Sequence, residues 1–313
     1  MATHGMNERI QKLRDISVNT PVHIDLERAK IETDFYREND GKYSIPVMRA
    51  MVLKEYFSKK TLYFGDGELI VGEKGKDPQA SPTFPELCCH SEEDMIVMSD
   101  RKLVSFHTTV EDRELQKKEI IPFWEGRTIR EKILASMKPE WHECYEAGVF
   151  TEFMEQRGPG HTCGGEQVFT TGYMDYKAKI KETMDKLDWM NDPEAYDKNE
   201  ELKAMDICCD AVIILGERYH KLALEKAEAE TDPVRKAEIL QIAKNLEVVP
   251  AHAPQTYWQA IQLYWFTHLA VTTELNPWDA FSPGRMDQHL IKYYEADTEA
   301  GILDDEKALE LLE

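Results

Sequence analysis

A run of apolar side chains from residue 256 to residue 271 sets the strongest constraint on the fold. Large apolar residues fall on almost every side of a helix drawn over this run, so little polar surface is left for solvent. The run is too short to span a bilayer, and it contains Gln259, Gln262 and His268. The sequence therefore predicts a core helix that is surrounded by the rest of a large fold.

The composition of the 313-residue chain narrows the class of protein. A hydrophobic fraction of 42% with 10% aromatic residues is typical of a folded chain and not of a disordered one. A formal net charge of −21, with no basic run, opposes binding to nucleic acid or to an anionic membrane surface. The first residues have no apolar segment typical of a secretory signal, which favours a cytoplasmic location.

Six cysteines are present, and four of them form the adjacent pairs Cys88-Cys89 and Cys208-Cys209. Adjacent cysteines do not readily bridge each other or bind one metal ion, and no C-x-x-C spacing occurs. The pattern predicts reduced thiols, most of them small buried apolar groups. We expect no metal site, including at Cys88-Cys89-His90, because no partner pair lies at zinc-ligand spacing.

Apolar spacing and capping residues predict a helix-rich chain with few strands. Asp25 is predicted to cap the second helix, and residues 63–72 are predicted to form a turn that leads into a short strand. Residues 75–90 contain three prolines and predict a loop. Helices are predicted at 6–18, 25–38, 44–57, 112–147 with breaks at two prolines, 174–190, 199–230, from 233, at 256–271 and from 304. The apolar face of the 199–230 helix is predicted to consist of Met205, Cys208, Val212, Leu215, Tyr219 and Leu222.

Two loops carry the candidate acid and base groups. His161 follows Gly158-Pro159-Gly160, and Asp279 lies between Pro277 and Pro283-Gly284. Proline and glycine restrict these segments to defined loop conformations, which suits side chains that transfer protons. Aromatic residues nearby in sequence, such as Phe153 and Trp278, favour perturbed pKa values. On the residues alone, His161 as an ordinary loop histidine and Asp279 as a helix cap are the more common interpretations.

The segment at 67–74 could be a phosphate-binding loop instead of a turn that leads into a strand. The segment has two suitably spaced glycines, but Glu73 stands where such a loop requires lysine. We therefore interpret it as an ordinary turn and expect no nucleotide site.

The segment Glu-Gln-Arg-Gly-Pro-Gly-His-Thr at 155–162 resembles a motif of the glycyl radical dehydratases. The loop at 274–281, with Trp278-Asp279 where glycerol dehydratases usually have His-Ser, is most similar to the trans-4-hydroxy-L-proline dehydratases of that family. Further matching segments cover the chain nearly end to end, at 65–73, 119–124, 250–252 and 282–288.

This resemblance implies an α/β fold. The expected fold is the ten-stranded α/β barrel of the pyruvate formate-lyase type, with residues 1–313 forming its N-terminal portion. The implied activity is that of a carbon–oxygen lyase that dehydrates trans-4-hydroxy-L-proline to 1-pyrroline-5-carboxylate. It also implies a glycyl radical outside this chain, an S-adenosylmethionine iron–sulfur activating enzyme as a partner, and a homodimer at full length.

The resemblance also implies roles for individual residues. His161 and Asp279 would lie around the departing C4 hydroxyl and the ring nitrogen, and Phe153 and Trp278 would bind the substrate ring. Hydroxide is a poor leaving group, so an acid must protonate it as the C–O bond breaks. A cationic ring amine favours a nearby carboxylate.

The radical-forming cysteine, the glutamate two residues after it and the radical-storing glycine of the family have no counterpart in this sequence. Cys144 has Glu146 two residues after it, but it precedes the His161 segment, and we interpret this match as a coincidence. The chain alone is therefore expected to be inactive and to expose apolar surface. Two alternatives stay open. The first is another glycyl radical enzyme, resembling glycerol dehydratase or pyruvate formate-lyase. The second is a non-catalytic partner subunit.

Overall fold

The computed structural model describes residues 7–150, 164–274 and 282–313. Helices dominate these ranges, as the sequence predicts. The bounds of the helices are α1 Glu8–Asn19, α2 Glu27–Asn39, α3 Ile45–Lys59, α4 Glu92–Asp100, α5 Val110–Leu115, α6 Ile121–Trp124, α7 Ile129–Ser136, α8 Pro139–Glu146, α9 Tyr173–Asp185, α10 Ala195–Ala229, α11 Pro233–Leu246, α12 Tyr257–Glu274, α13 Met286–Glu299 and α14 Asp305–Leu312. A π-helical turn, Gln116–Ile120, joins α5 to α6, and a 3₁₀ turn, Gly165–Phe169, precedes α9.

Two short strands pair in parallel within the described residues. Strand β1, His23–Asp25, lies beside β2, Ala80–Pro82, with Ile24 opposite Ser81. The strand β2 lies inside the stretch predicted to be a loop. Parallel pairing joins segments far apart in sequence, so local patterns around either strand carry little sign of it.

The strand predicted within residues 63–72 is wrong. This stretch is irregular, and side chains of α12 bind its backbone in place of a neighbouring strand. Trp258 Nε1 donates to Leu69 O at 2.8 Å, and Trp265 Nε1 donates to Gly72 O at 2.8 Å. These bonds satisfy buried backbone groups without a sheet, which explains why strand-like residues form no strand here.

The predicted cap of α2 is also wrong in its position. Leu26 occupies the cap position, and Asp25 is the last residue of β1. The Asp25 carboxylate still accepts from the backbone nitrogens of Glu27 at 3.0 Å and Lys76 at 3.1 Å. It therefore ties the start of α2 to the 63–80 segment in addition to binding the first turn of the helix.

The core forms where α10 packs on α3, α9 and α11, with α12 against the same cluster. The central residues of the predicted α10 face, Val212, Leu215 and Tyr219, are almost completely buried. Met205, which was assigned to the same face, is 52% exposed, whereas the adjacent Ala204 is buried against Val47 and Ala50 of α3. The prediction of a buried 256–271 helix is confirmed, since Ala260, Leu263 and Phe266 in α12 have no exposed area.

The patterns did not predict α4, and they indicated α13 only as the helix that Asp279 would cap, without bounds. Helix α4 is short and has a single buried residue, Met95, so its apolar spacing is weak. It is instead defined by a capping box in which Ser91 and Asp94 bind each other's backbone. Within the described residues, no helix is both long enough and apolar enough to cross a membrane.

Candidate active site

The four predicted site residues, Phe153, His161, Trp278 and Asp279, lie outside the described residues. Their roles therefore stay predictions. The structure does describe the chain on both sides of each segment, namely α8 and the Gly165–Phe169 turn around 151–163, and α12 and α13 around 275–281.

The flanks of the two segments meet on α12. The ring of Phe169 stacks on Tyr264 of α12, with centroids 5.3 Å apart and planes inclined by 8°. The ring of His289 in α13 also stacks on Phe169, at 5.3 Å, and Tyr293 Oη donates to Phe169 O at 2.8 Å. The Gly165–Phe169 turn and α13 are thus held side by side against α12.

The start of α9, four residues after Phe169, is fixed by backbone hydrogen bonds to the 250–251 segment. The backbone nitrogens of Tyr173 and Met174 donate to Pro250 O at 3.0 Å and Ala251 O at 2.8 Å. Gly172 approaches this segment so closely that a Cβ there would lie 2.3 Å from the carbonyl carbon of His252. Glycine at position 172 therefore permits a close backbone contact that any larger residue would block.

The carboxyl end of α12 is held by two arginines. Arg28 Nε donates to Thr273 O at 3.2 Å, and Arg49 forms an ion pair with Glu274. Thr273 and Glu274 are the last two residues before the 275–281 segment. The chain therefore leaves α12 from a point fixed by α2 and α3.

Arg28 lies in a buried charged cluster. Its Nη1 lies 2.7 Å from Glu32 Oε2, and its Nη2 donates to Glu86 Oε1 at 2.9 Å. Burial alone would lower the pKa of Arg28, but the two carboxylates outweigh it and raise the pKa above its ordinary value. The guanidinium is thus charged at every working pH. Sequence analysis missed this cluster, although the i,i+4 spacing of Arg28 and Glu32 was an available signal.

A small cavity lies beside the cluster. Its volume is about 10 Å³, which is roughly the space of one water molecule. Its walls are formed by α2, α3 and the end of α12: Arg28, Glu32, Tyr36, Arg49, Val52, Leu53, Tyr56, Thr273 and Glu274. A cavity of this size has no room for a substrate.

The cysteines of the described residues differ in environment. Cys209 is buried, Cys88, Cys89 and Cys208 are partly buried, and Cys144 is exposed on α8. Burial raises the thiol pKa of Cys89 and Cys209 to about 12 and that of Cys208 to about 11. Among the described residues, no group of three His, Cys, Asp or Glu side chains is arranged to hold a metal ion.

The 67–74 segment contains a carboxyl group, that of Glu68, with a shifted pKa. Burial raises the pKa of Glu68 to about 7, although its Oε2 accepts from Gly65 N at 2.8 Å. A cleft of about 390 Å³ opens beside Glu68, between α1, α12 and α14. The chain turns at Asp66 and Gly67, as the interpretation of this region as a turn predicts.

Residues 6–313 match the family described as Pyruvate formate lyase-like. The chain belongs to this family. The resemblance drawn from the loop motifs is thereby confirmed, and the helix-rich fold is that of the family's solved structures.

Within the pyruvate formate lyase-like family, trans-4-hydroxy-L-proline dehydratase of Clostridioides difficile is 52% identical to this chain over 309 residues. The match covers 99% of this chain and 39% of the relative. The crystal structure of hydroxyproline dehydratase from Clostridioides difficile with trans-4-hydroxy-L-proline bound has a TM-score of 0.95 and 52% identity, covering 98% of this chain and 39% of that one.

The glycerol-bound B12-independent glycerol dehydratase from Clostridium butyricum is also similar, with a TM-score of 0.89 and 28% identity. This match covers 99% of this chain and 39% of that chain. The chain therefore spans about two fifths of the length of the relatives that it matches.

Proposed function

We propose that this chain is part of a glycyl radical dehydratase that converts trans-4-hydroxy-L-proline to 1-pyrroline-5-carboxylate and water. The observation that carries the proposal is the 52% identity over 99% of the chain to a protein named for this reaction. The glycerol dehydratase has a similar fold at only 28% identity. Its similarity therefore supports the family assignment more than it supports glycerol as the substrate.

Two side chains would carry the proton chemistry. His161 and Asp279 would lie around the C4 hydroxyl and the ring nitrogen of the substrate. Protonation of the hydroxyl as the C–O bond breaks lets it leave as water, which lowers the barrier to its departure. A carboxylate beside the ring ammonium would bind and orient the substrate through a charge-assisted hydrogen bond. Phe153 and Trp278 would enclose the ring and exclude water.

The glycyl radical would supply the homolytic C–H chemistry that ionic side chains cannot. The described cysteines do not suit the thiol that passes such a radical to substrate. Cys209 is buried, Cys88, Cys89 and Cys208 are partly buried, and Cys144 is exposed on α8. We infer that this thiol and the radical glycine belong to the remainder of a longer protein, together with a radical S-adenosylmethionine activating enzyme and a homodimeric assembly.

The test is turnover by the full-length protein after anaerobic activation. Formation of 1-pyrroline-5-carboxylate from trans-4-hydroxy-L-proline, with little reaction of glycerol, is the expected result. Turnover of glycerol in preference to hydroxyproline would overturn the substrate assignment.

Two variants test the roles of the side chains. His161→Gln and Asp279→Asn should each lower kcat/KM by about 10²- to 10⁴-fold, the usual contribution of a positioned acid or base. His107→Gln is the matched control, because His107 is exposed and its hydrogen bonds to the described residues, with Val22 and Ile24, are made by its backbone. Unchanged turnover in both site variants would remove the assigned roles.

A further inference from the structure

A groove with a volume of about 420 Å³ opens between the end of α9 and the start of α10. We call it the α9–α10 groove. Its lining is mostly apolar and includes Leu187, Leu202 and Met205. Met205 was predicted for the buried face of α10, yet more than half of its surface is exposed. This part of the predicted apolar face therefore lines an open groove instead of the core.

The turn that joins α9 to α10 presents two more apolar side chains. Trp189 is 56% exposed, and Met190 is 90% exposed. The carboxylate of Asp188 fixes the backbone of this turn, because its Oδ1 accepts from Met190 N at 3.2 Å and from Asn191 N at 3.0 Å. Tryptophan and methionine are enriched at protein interfaces, and a backbone that is already ordered loses little entropy when a partner covers it.

The rim of the α9–α10 groove is acidic. Glu194, Asp197 and Glu201 line it, and all three are exposed. Lys198 also lines the groove, but it pairs with Asp192 at 2.8 Å and with Glu194 at 3.2 Å, so carboxylates compensate its charge. The rim therefore carries a net negative charge.

This combination of an apolar lining and an acidic rim defines the chemistry of an occupant. An amphipathic helix places its apolar face in such a groove, and lysines or arginines beside that face then meet the carboxylates of the rim. A second copy of the chain is disfavoured, because its formal net charge of −21 is repelled by the same carboxylates.

We propose that the α9–α10 groove is a docking site for a basic amphipathic helix of another protein. The groove is built from α9, α10 and the turn between them, and it contains neither of the two loops of the proposed active site. The surface would therefore serve whichever substrate the full-length protein dehydrates.

The probe is a synthetic helical peptide with leucine at positions i, i+3, i+4 and i+7 and lysine at most other positions. A second peptide has the same composition in scrambled order, so it has the same charge but no apolar face. It controls for general attraction of a basic peptide to an acidic protein. Isothermal titration calorimetry measures the Kd of each peptide for the full-length protein at low and at high salt.

Two pairs of variants locate the binding. Met205→Ser removes an apolar side chain of the groove, and Leu224→Ser removes an exposed apolar side chain elsewhere on α10. Glu201→Lys reverses a charge of the rim, and Glu225→Lys reverses an exposed charge farther along the same helix. Thermal midpoints show whether each variant is folded as well as the parent.

We expect the ordered peptide to bind the parent about tenfold more tightly than the scrambled peptide. Met205→Ser should weaken that binding about tenfold, as truncation of a central interface side chain does. Glu201→Lys should weaken it about threefold at low salt and less at high salt, because salt screens a charge at the rim. Leu224→Ser and Glu225→Lys should each stay within about twofold of the parent.

Three outcomes would overturn the proposal. The first is that the ordered peptide binds no more tightly than the scrambled one. The second is that Met205→Ser and Leu224→Ser lose the same affinity, because the peptide would then bind elsewhere. The third is a self-association of the full-length protein that Met205→Ser abolishes in analytical ultracentrifugation, which would assign the groove to a second copy of the protein.

Discussion

Gln262 binds both backbone groups of Val71. Val71 N donates to Gln262 Oε1 at 2.9 Å, and Gln262 Nε2 donates to Val71 O at 2.8 Å. Both residues are almost completely buried, at 1% and 0% exposure. The carboxamide therefore takes the place of a neighbouring strand and satisfies a segment of strand-like sequence from the face of α12.

Replacing Gln262 by leucine should destabilise the protein by about 2–4 kcal/mol. The change leaves a buried N–H and a buried C=O of Val71 without partners, and each costs about 1–3 kcal/mol. Urea unfolding measures the loss. Gln259→Leu is the control on the same helix, because Gln259 accepts a single bond, from Gln255 N at 2.8 Å, and should cost clearly less. Equal losses in the two variants would contradict this account of Val71.

Glu68→Gln should change the pH dependence of stability. Burial raises the folded pKa of Glu68 to about 7 from an unfolded value near 4.5. Between these values the folded state binds the additional proton, so stability falls as pH rises from about 4.5 to 7. The glutamine keeps the acceptor for Gly65 N and removes this loss, which is about 1–2 kcal/mol once partial exposure is allowed for.

The measurement for Glu68 is unfolding free energy at several pH values. Relative to the parent, the free energy of unfolding of the variant should rise between about pH 4.5 and 7, and the difference should stay constant above about pH 8. Asp66→Asn, an exposed change of equal charge in the same loop, controls for net charge. A difference between Glu68→Gln and the parent that does not vary with pH would rule out a raised pKa at Glu68.

Arg28→Met should destabilise the protein by about 3–5 kcal/mol, because it leaves the carboxylates of Glu32 and Glu86 buried without their cation. Arg37→Met is the matched control on the same helix. Arg37 is 47% exposed and pairs with Asp34 at 3.1 Å, a type of pair that contributes about 1 kcal/mol or less. Thermal and urea unfolding measure both variants. A small effect at Arg28 would mean that the two carboxylates become protonated or hydrated without cost.

Cysteine alkylation should follow burial. Of the five cysteines that the structure describes, Cys144 is exposed and should react first with iodoacetamide at pH 8. Cys208 and Cys209 should react far more slowly, since their raised pKa values, about 11 and 12, leave little thiolate to attack. Peptide mapping over time gives the order of reaction. Prior labelling of Cys209 would show that α10 opens locally before the rest of the fold.

The long helices could be predicted because their information is local. The apolar spacing of Val212, Leu215 and Tyr219 defines the buried face of α10, and the all-round apolar character of α12 predicts its central position. The motif around His161 carried the family resemblance. Its rare combination of glycine, proline and histidine can be recognised from the sequence alone, without knowledge of the tertiary structure.

The sequence by itself therefore determined the helical class, the buried central helix, the family and the candidate residues His161 and Asp279. Only the tertiary structure decided how distant segments satisfy one another. The Val71 segment has the residues of a strand, yet the carboxamide of Gln262 binds its backbone from 191 positions away. Arg28 and Glu86 form one charged cluster beneath Thr273 although nothing local links them. Hydrogen bonds and ion pairs act over a few ångströms of space, and periodicity along a chain contains no record of which distant groups the fold will bring within that range.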